Sequence, residues 1–288
     1  MANANIHIGD DFMSECNSCP SSEGCSKDKD SCMVKNNPLN NVKKIIGVMS
    51  GKGGVGKSSI SVLIAKNLKQ LGYSVGILDA DITGPSVPRL LGLKDKKAST
   101  TEQVILPVTT SEGIKVMSLN FLIENEDDPV IWRGPVISGV VKQFWTDVLW
   151  EELDYLIIDM PPGTGDVALT VMQSIPINGV VMVSVPQDMV SMIVSKAVNM
   201  ARKMDINILG VIENMSYITC PDCSKKIKVF NGEGTEEFLK EMNLKLLGEL
   251  PMQSSISNLA QYGYENASES LELIFNPIVT NIIKELED

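Results

Sequence analysis

A chain of 288 residues, 43% of them hydrophobic, is long enough to bury one sizeable core. Its net charge of −11 argues against a basic face for nucleic acid, and 11 acidic against 3 basic side chains in residues 231–288 make that end repel DNA and anionic lipid alike. No apolar run approaches the ~20 residues that span a bilayer, and the polar, acidic N-terminus carries no signal-peptide pattern, so we expect a cytoplasmic protein with neither nucleic acid nor membrane as partner.

Six cysteines in such a chain point to metal or redox chemistry more than to disulfides. Residues 1–40 stand apart as a cysteine-containing N-terminal extension, polar and poor in branched apolar side chains. Cys16, Cys19, Cys25 and Cys32 lie there in the spacing C-x2-C-x5-C-x6-C. Nothing in the stretch could bury a core, so order there must come from a bound metal or not arise at all. Four thiolates suit either Zn2+ or an iron–sulfur cluster, and spacing does not decide between them. The single histidine, His7, falls in the same stretch. A Ser-His-Asp or Cys-His catalytic apparatus is thereby excluded, as is a zinc enzyme with several histidine ligands. Pro38 and the asparagines around it read as a linker into a second unit, residues 41–288.

Lys43 to Ser50 predicts a buried strand through Ile45, Ile46, Val48 and Met49. The chain then runs Gly51-Lys52-Gly53-Gly54-Val55-Gly56-Lys57-Ser58, a match to the phosphate-loop pattern G-x-x-x-x-G-K-[ST]. After it, Ile60, Leu63, Ile64, Leu68 and Leu71 recur at helical spacing. Strand, glycine loop and helix together aim backbone N–H groups and a positive helix end at phosphate. A Cβ would block so tight a loop, hence the glycines. Lys57 is expected to reach the outer phosphates and the Ser58 hydroxyl to bind Mg2+, with Ser59 completing the nucleotide-binding stretch.

Further along, Val75–Asp79 predicts a strand running into Asp79-Ala80-Asp81-Ile82-Thr83-Gly84-Pro85-Ser86. Val104–Val108 and Ile114–Leu119 read as a hairpin across Ser111-Glu112-Gly113. Asp154–Asp159 predicts a central strand, apolar on both faces through Tyr155-Leu156-Ile157-Ile158. It ends in Asp159-Met160-Pro161-Pro162-Gly163-Thr164-Gly165-Asp166. Val180–Val185 and Ile208–Ile212 read as strands with a helix between them, from Asp188 to about Met204. Leu246–Leu250 reads as the last strand, and Pro277 should end or kink the final helix. Strands alternating with helices imply an α/β fold: a mostly parallel sheet with helices on both faces.

Ligands of such sheets bind at the carboxyl ends of strands, where Asp79, Asp81, Asp159 and Asp166 all fall. Asp159, after an apolar strand, is the expected Mg2+ partner, acting through water. Asp81 opens the loop beside the phosphate loop and is the candidate for orienting an attacking water. Asp166 reads equally well as a helix N-cap. Gly163 and Gly165 would let the backbone swing with γ-phosphate occupancy. Finally, Cys220-Pro221-Asp222-Cys223 supplies two thiolates where a [4Fe–4S] cluster wants four, and a twofold dimer would supply two plus two. A zinc site, a thioredoxin-like redox pair and an ordinary turn are the competing readings.

The extra lysine, Lys52, resembles the deviant Walker A of the ParA/MinD and nitrogenase iron-protein class, in which that lysine crosses a dimer interface to the partner's nucleotide. Taken together, Gly51–Ser58, Asp79–Ser86, Trp132-Arg133-Gly134-Pro135, Asp159–Asp166, Glu213-Asn214-Met215-Ser216 and the Cys220/Cys223 pair resemble the Mrp/ApbC-type P-loop ATPases. These are nucleotide-binding-protein-35-like iron–sulfur cluster carriers, and the resemblance runs from about Lys43 to about Leu259. It implies a P-loop NTPase fold and a homodimer that binds ATP and Mg2+ and hydrolyses ATP weakly. It also implies a labile [4Fe–4S] cluster held between the Cys220/Cys223 pairs, taken from cluster-assembly factors and passed to apo iron–sulfur proteins. By the same matching Lys52 and Asp81 are catalytic and Asn214 contacts the adenine base. Cys16, Cys19 and Cys25 match the C-x2-C-x5-C run of the eukaryotic cytosolic scaffold branch, which carries a second cluster there. That branch places its fourth cysteine upstream, whereas this chain offers Cys32 downstream, so zinc stays open. A ParA/MinD-type positioning ATPase and an ATP-dependent electron-transfer iron protein are the rival functions. The final Ile282-Ile283-Lys284-Glu285-Leu286-Glu287-Asp288 lacks the basic amphipathic face that lipid binding would need.

Overall fold

The computed structural model describes residues 33–82, 84–101, 103–124, 132, 134–187, 192–228, 235–253 and 269–287. The N-terminal cysteines Cys16, Cys19, Cys25 and Cys32, together with His7, Thr83, Arg133 and the expected helix start at Asp188, lie outside these residues.

Among the described residues nine strands form one sheet. At its centre lie β1 (Asn41–Ser50), β7 (Glu152–Asp159) and β2 (Val75–Asp79) on one side, and β8 (Gly179–Ser184) and β9 (Ile208–Thr219) on the other. All five run parallel. β6 (Lys115–Met117) extends the sheet in parallel beyond β2, and β5 (Val108–Thr109) closes that edge antiparallel. At the other edge β11 (Leu246–Pro251) pairs in parallel with β9, whose far end folds back on β10 (Lys226–Ile227).

The apolar runs are explained by two-sided burial. In β1, Ile46 and Val48 face one core while Ile45 and Met49 face another; in β7, Tyr155 and Ile157 oppose Leu156 and Ile158. The period of two along a strand sends alternate side chains to opposite faces, so a strand covered on both has no polar positions to spare. One face is covered by α1 (Lys57–Gln70) and the C-terminal helix α7 (Glu269–Glu287). The other is covered by α3 (Gly134–Thr146), α4 (Asp166–Ser174) and α5 (Met192–Lys203), with α6 (Thr235–Glu241) beside them. The short α2 (Val87–Leu90) sits against α1.

Three expectations change. The hairpin is shorter than the apolar pattern suggests: among the described residues only Val108 and Thr109 pair with Val116 and Lys115 around the turn, while β4 (Ile105–Leu106) pairs with β3 (Ser99–Thr100) in a separate two-stranded sheet. Ile105 also bridges to Val148, so it is drawn off the hairpin axis. Pro277 does not end α7, which continues to Glu287. Its ring sits on the exposed side and the carbonyl it cannot serve is that of Leu273, 73% exposed, where water can satisfy it. Finally, the stretch around Pro38 is pinned to the domain. Val34 donates its N–H to Ser174 O (3.0 Å), Trp145 Nε1 donates to Val34 O (3.0 Å), and Asn40 Nδ2 donates to Val148 O (2.8 Å).

Candidate nucleotide and thiol sites

The parallel register brings the strand ends to one rim. Asp79 of β2 lies beside Asp159 of β7, Asp159 beside Val48 of β1, and Ser184 of β8 beside Glu213 of β9. From Ser50 the chain turns through residues 51–56 and enters α1 at Lys57. Gly54 (φ 82°) and Gly56 (φ 85°) are left-handed, and a Cβ on Gly56 would stand 2.4 Å from Asn214 Nδ2, so that position requires glycine twice over. Gly56 is also the N-cap of α1, and no side chain caps the helix. The N–H groups of its first turn, at Lys57, Ser58 and Ser59, are therefore open to an anion, with the positive end of the helix behind them. A Cβ on Gly53 or Gly54 would meet nothing within 4 Å, which leaves room for phosphate above the loop. Lys52 is exposed on the same loop.

Asp159, fully buried, is the hub beneath the loop. Its Oδ1 accepts from Lys57 Nζ (2.7 Å) and Ser61 Oγ (2.7 Å), and its Oδ2 accepts from Ser58 Oγ (2.6 Å). A carboxylate so buried is sustained by the ammonium of Lys57, only 6% exposed, and by two hydroxyls. The Ser58 and Asp159 oxygens converge, and a hydroxyl with a carboxylate is a donor set suited to a hard divalent cation that keeps several waters. Ser61 was not singled out from the sequence; its position three residues after Ser58, on the same helix face, is the signal that could have found it.

Asp79 is also fully buried. Its carboxyl oxygens face Asp81 N (3.2 Å), Val87 N (3.3 Å) and Ser118 Oγ (3.2 Å). Burial first, and the neighbouring Asp159 second, push its pKa up to about 8; Lys57 and the Ser118 hydrogen bond oppose this, and Asp81 adds to it. Asp79 therefore holds a proton at neutral pH, one strand away from Asp159. Asp81 itself is half-buried on the loop after β2, with its carbonyl accepting from Gly84 N (3.2 Å).

The loop after β7 is hung from the end of β1, next to the phosphate loop. Met160 N donates to Val48 O (3.1 Å) and Gly163 N to Ser50 O (2.8 Å), with Gly163 left-handed at φ 79°. Asp166 is exposed, and Gly165 takes the N-cap position. Asp166 is therefore not the N-cap that the sequence suggests; it is the first helical residue of α4, where its charge complements the helix dipole without capping.

Asn214 is buried beneath the phosphate loop. Its Nδ2 donates to Val55 O (2.9 Å), while its Oδ1 is buried with no partner among the described residues. Just beyond it, Met215 takes a left-handed φ of 55° and the β9–β11 register slips between Glu249 and Pro251, marking a bulge. β9 then continues to Ile218 and Thr219, which pair with Ile227 and Lys226 of β10. Cys220 and Cys223 occupy the tip of this hairpin. Cys220 N donates to Lys225 O (3.0 Å) and Ser224 N to Cys220 O (2.9 Å), with Ser224 left-handed at φ 57°. Both cysteines are free thiols, Cys220 half-buried and Cys223 exposed. The backbone N–H groups of Cys223 and Asp222 point at the Cys220 sulfur, with the Cys223 thiol beside it, and these bonds hold the Cys220 thiol below the usual cysteine range. The turn thus favours thiolate, the form that ligates metal. Among the described residues no further Cys, His, Asp or Glu joins the pair to make a three-ligand group.

Comparison with known proteins identifies the family and the fold. The chain is 50% identical over 265 residues to the iron-sulfur cluster carrier protein of Clostridium perfringens, covering 87% of this chain and 93% of that one. It resembles the structure of the Archaeoglobus fulgidus nucleotide-binding protein in complex with ADP, with a TM-score of 0.71 and 40% identity over 82% of this chain and 93% of that one. The cell division ATPase MinD of Pyrococcus furiosus shares the fold alone, with a TM-score of 0.57 at 19% identity over 84% of this chain and 98% of that one. The family model for the NUBPL iron-transfer P-loop NTPases matches residues 41–287, which takes in the phosphate loop, the buried Asp159 and the thiol hairpin, and the chain belongs to that family.

Proposed function

We propose that the protein is an ATP-dependent carrier of [4Fe–4S] clusters, working in the cytoplasm as a homodimer. Each chain offers Cys220 and Cys223, and the cluster is cargo shared between two hairpin tips. The observation that carries this reading is the hairpin itself: two adjacent thiols, one drawn toward thiolate by backbone N–H groups, at an exposed tip with no third ligand beside them among the described residues. Exposure suits cargo that must leave for an apo-protein, and the flanking Ile218 and Ile227, 38% and 48% exposed, give a second copy apolar surface to cover.

On the nucleotide side, the open N–H groups at the start of α1 would hold phosphate. Ser58 and Asp159 would hold Mg2+, for which Lys57 must leave Asp159 and turn outward to the phosphates. The orphaned Asn214 Oδ1 has the acceptor character that an adenine amine needs. Asp81 would orient water, and Lys52 would reach the partner's nucleotide, giving slow ATP hydrolysis. β9 connects the two chemistries, because it touches the phosphate loop at Asn214 and ends five residues later at Thr219, next to Cys220. The four N-terminal cysteines would hold a second cluster or zinc. The similarity to a named cluster carrier at 50% identity favours this reading over a positioning ATPase, with which the likeness is one of fold.

Anaerobic reconstitution followed by iron and sulfide analysis tests the site. Truncating residues 1–32 removes the four other cysteines from the count. In that background the parent should take up about four iron per two chains and Cys220→Ala close to none. Equal iron in both would rule the hairpin out as the cargo site.

A further inference from the structure

A cationic surface stands out on a chain of net charge −11. From Met192 to Lys203, α5 carries Lys196, Arg202 and Lys203 and no acidic residue. Val194, Ala197, Val198 and Ala201 pack inward, which turns Lys196, Asn199, Arg202 and Lys203 to the surface. With Met200 and Thr164 they line an open cleft of about 700 Å³. The guanidinium of Arg202 is fixed by a hydrogen bond to the Met242 carbonyl. Thr164 belongs to the loop that Gly163 hangs from Ser50, the last residue before the phosphate loop.

We propose that this cleft is a docking site for an acidic peptide segment of a partner protein. Three cations on one helical face select carboxylates, and Asn199 and Thr164 offer both donors and acceptors to an extended backbone. A polynucleotide would feel the net negative field of the whole molecule, whereas a short peptide samples mainly charges within a Debye length of roughly 8–10 Å. A peptide lying in the cleft touches the loop hung beside the phosphate loop, so its affinity should depend on bound nucleotide, and the dependence is reciprocal. This docking reading stands independently of the cluster cargo, and its test contains no iron.

The probe is a fluorescein-labelled peptide of about ten residues, mixed Glu and Asp with two Leu, titrated with the full chain and followed by anisotropy. A labelled oligothymidylate and a lysine peptide serve as comparisons. The acidic peptide alone should bind, more weakly as salt rises, and Lys196→Glu with Lys203→Glu should weaken it by about ten-fold or more while ATP binding and melting temperature stay as in the parent. Equal binding by the parent and the charge-reversed chain would overturn the proposal, as would preferential binding of oligothymidylate. A reversal that changes oligomeric state while peptide binding persists would assign the face to a second copy and overturn it too.

Discussion

Asp159 is fully buried and satisfied by an ammonium and two hydroxyls, so removing one partner should be costly. Asp159→Ala leaves Lys57 buried without a counter-charge, and urea unfolding should show a loss of about 3–5 kcal/mol, much of it recovered when Lys57→Met is added. Additive losses in the double variant would show that the pair is not coupled. Asp79 gives a pH signature. Folded, it keeps its proton to about pH 8; unfolded, it would lose it near pH 4. Between those values the folded chain binds more protons, so stability should fall as pH rises across that window and level off above it. Asp79→Asn should flatten that slope, and parallel pH–stability curves for parent and variant would contradict the assignment. At this scale the contiguous motif was readable from the chain: eight residues of one loop announce the glycines, Lys57 and Ser58. Ser61 was signalled only by its spacing from Ser58, and Ser118 and the Asp79–Asp159 pair not at all, because these last meet only through the register of β2, β6 and β7.

The elements were legible where burial is two-sided. β7 reads as a continuous apolar run, whereas the pattern near residues 104–119 could not show that Ile105 is pulled toward Val148. β9 runs further than its apolar stretch, since its far half includes the polar bulge at Asn214–Ser216 and then pairs in a hairpin. That extension makes the strand useful, with one end under the nucleotide loop and the other at the thiols. α7 offers a simple test of helix physics. Pro277 is exposed within the helix and withholds a hydrogen bond from Leu273. Pro277→Ala should stabilise the chain by about 1–3 kcal/mol in chemical denaturation, and a loss of stability would mean that the ring, not the helix bond, is what matters there.

At the scale of the whole molecule the account requires a second chain. Two thiols leave a cluster half-ligated, and Lys52 is exposed on a loop whose own phosphate-facing groups are supplied by its neighbours. If Lys52 acts across the interface, Lys52→Ala should lower ATP turnover by about ten-fold or more while ATP binding measured by calorimetry changes little. Equal losses in both would place Lys52 in ordinary binding. The family was legible from the order of several motifs along the chain. The cationic cleft on α5 was not, because Thr164 and Lys196 are brought together only by the fold.

Anaerobic native mass spectrometry of the reconstituted chain without residues 1–32 tests the central claim most directly, because it weighs protein and cargo in one particle. A two-chain species carrying a single cluster of four iron and four sulfide, about one per pair of hairpins, is expected, and is expected to be absent from Cys223→Ala. Iron carried on single chains, or a loaded dimer that survives Cys223→Ala unchanged, would contradict it.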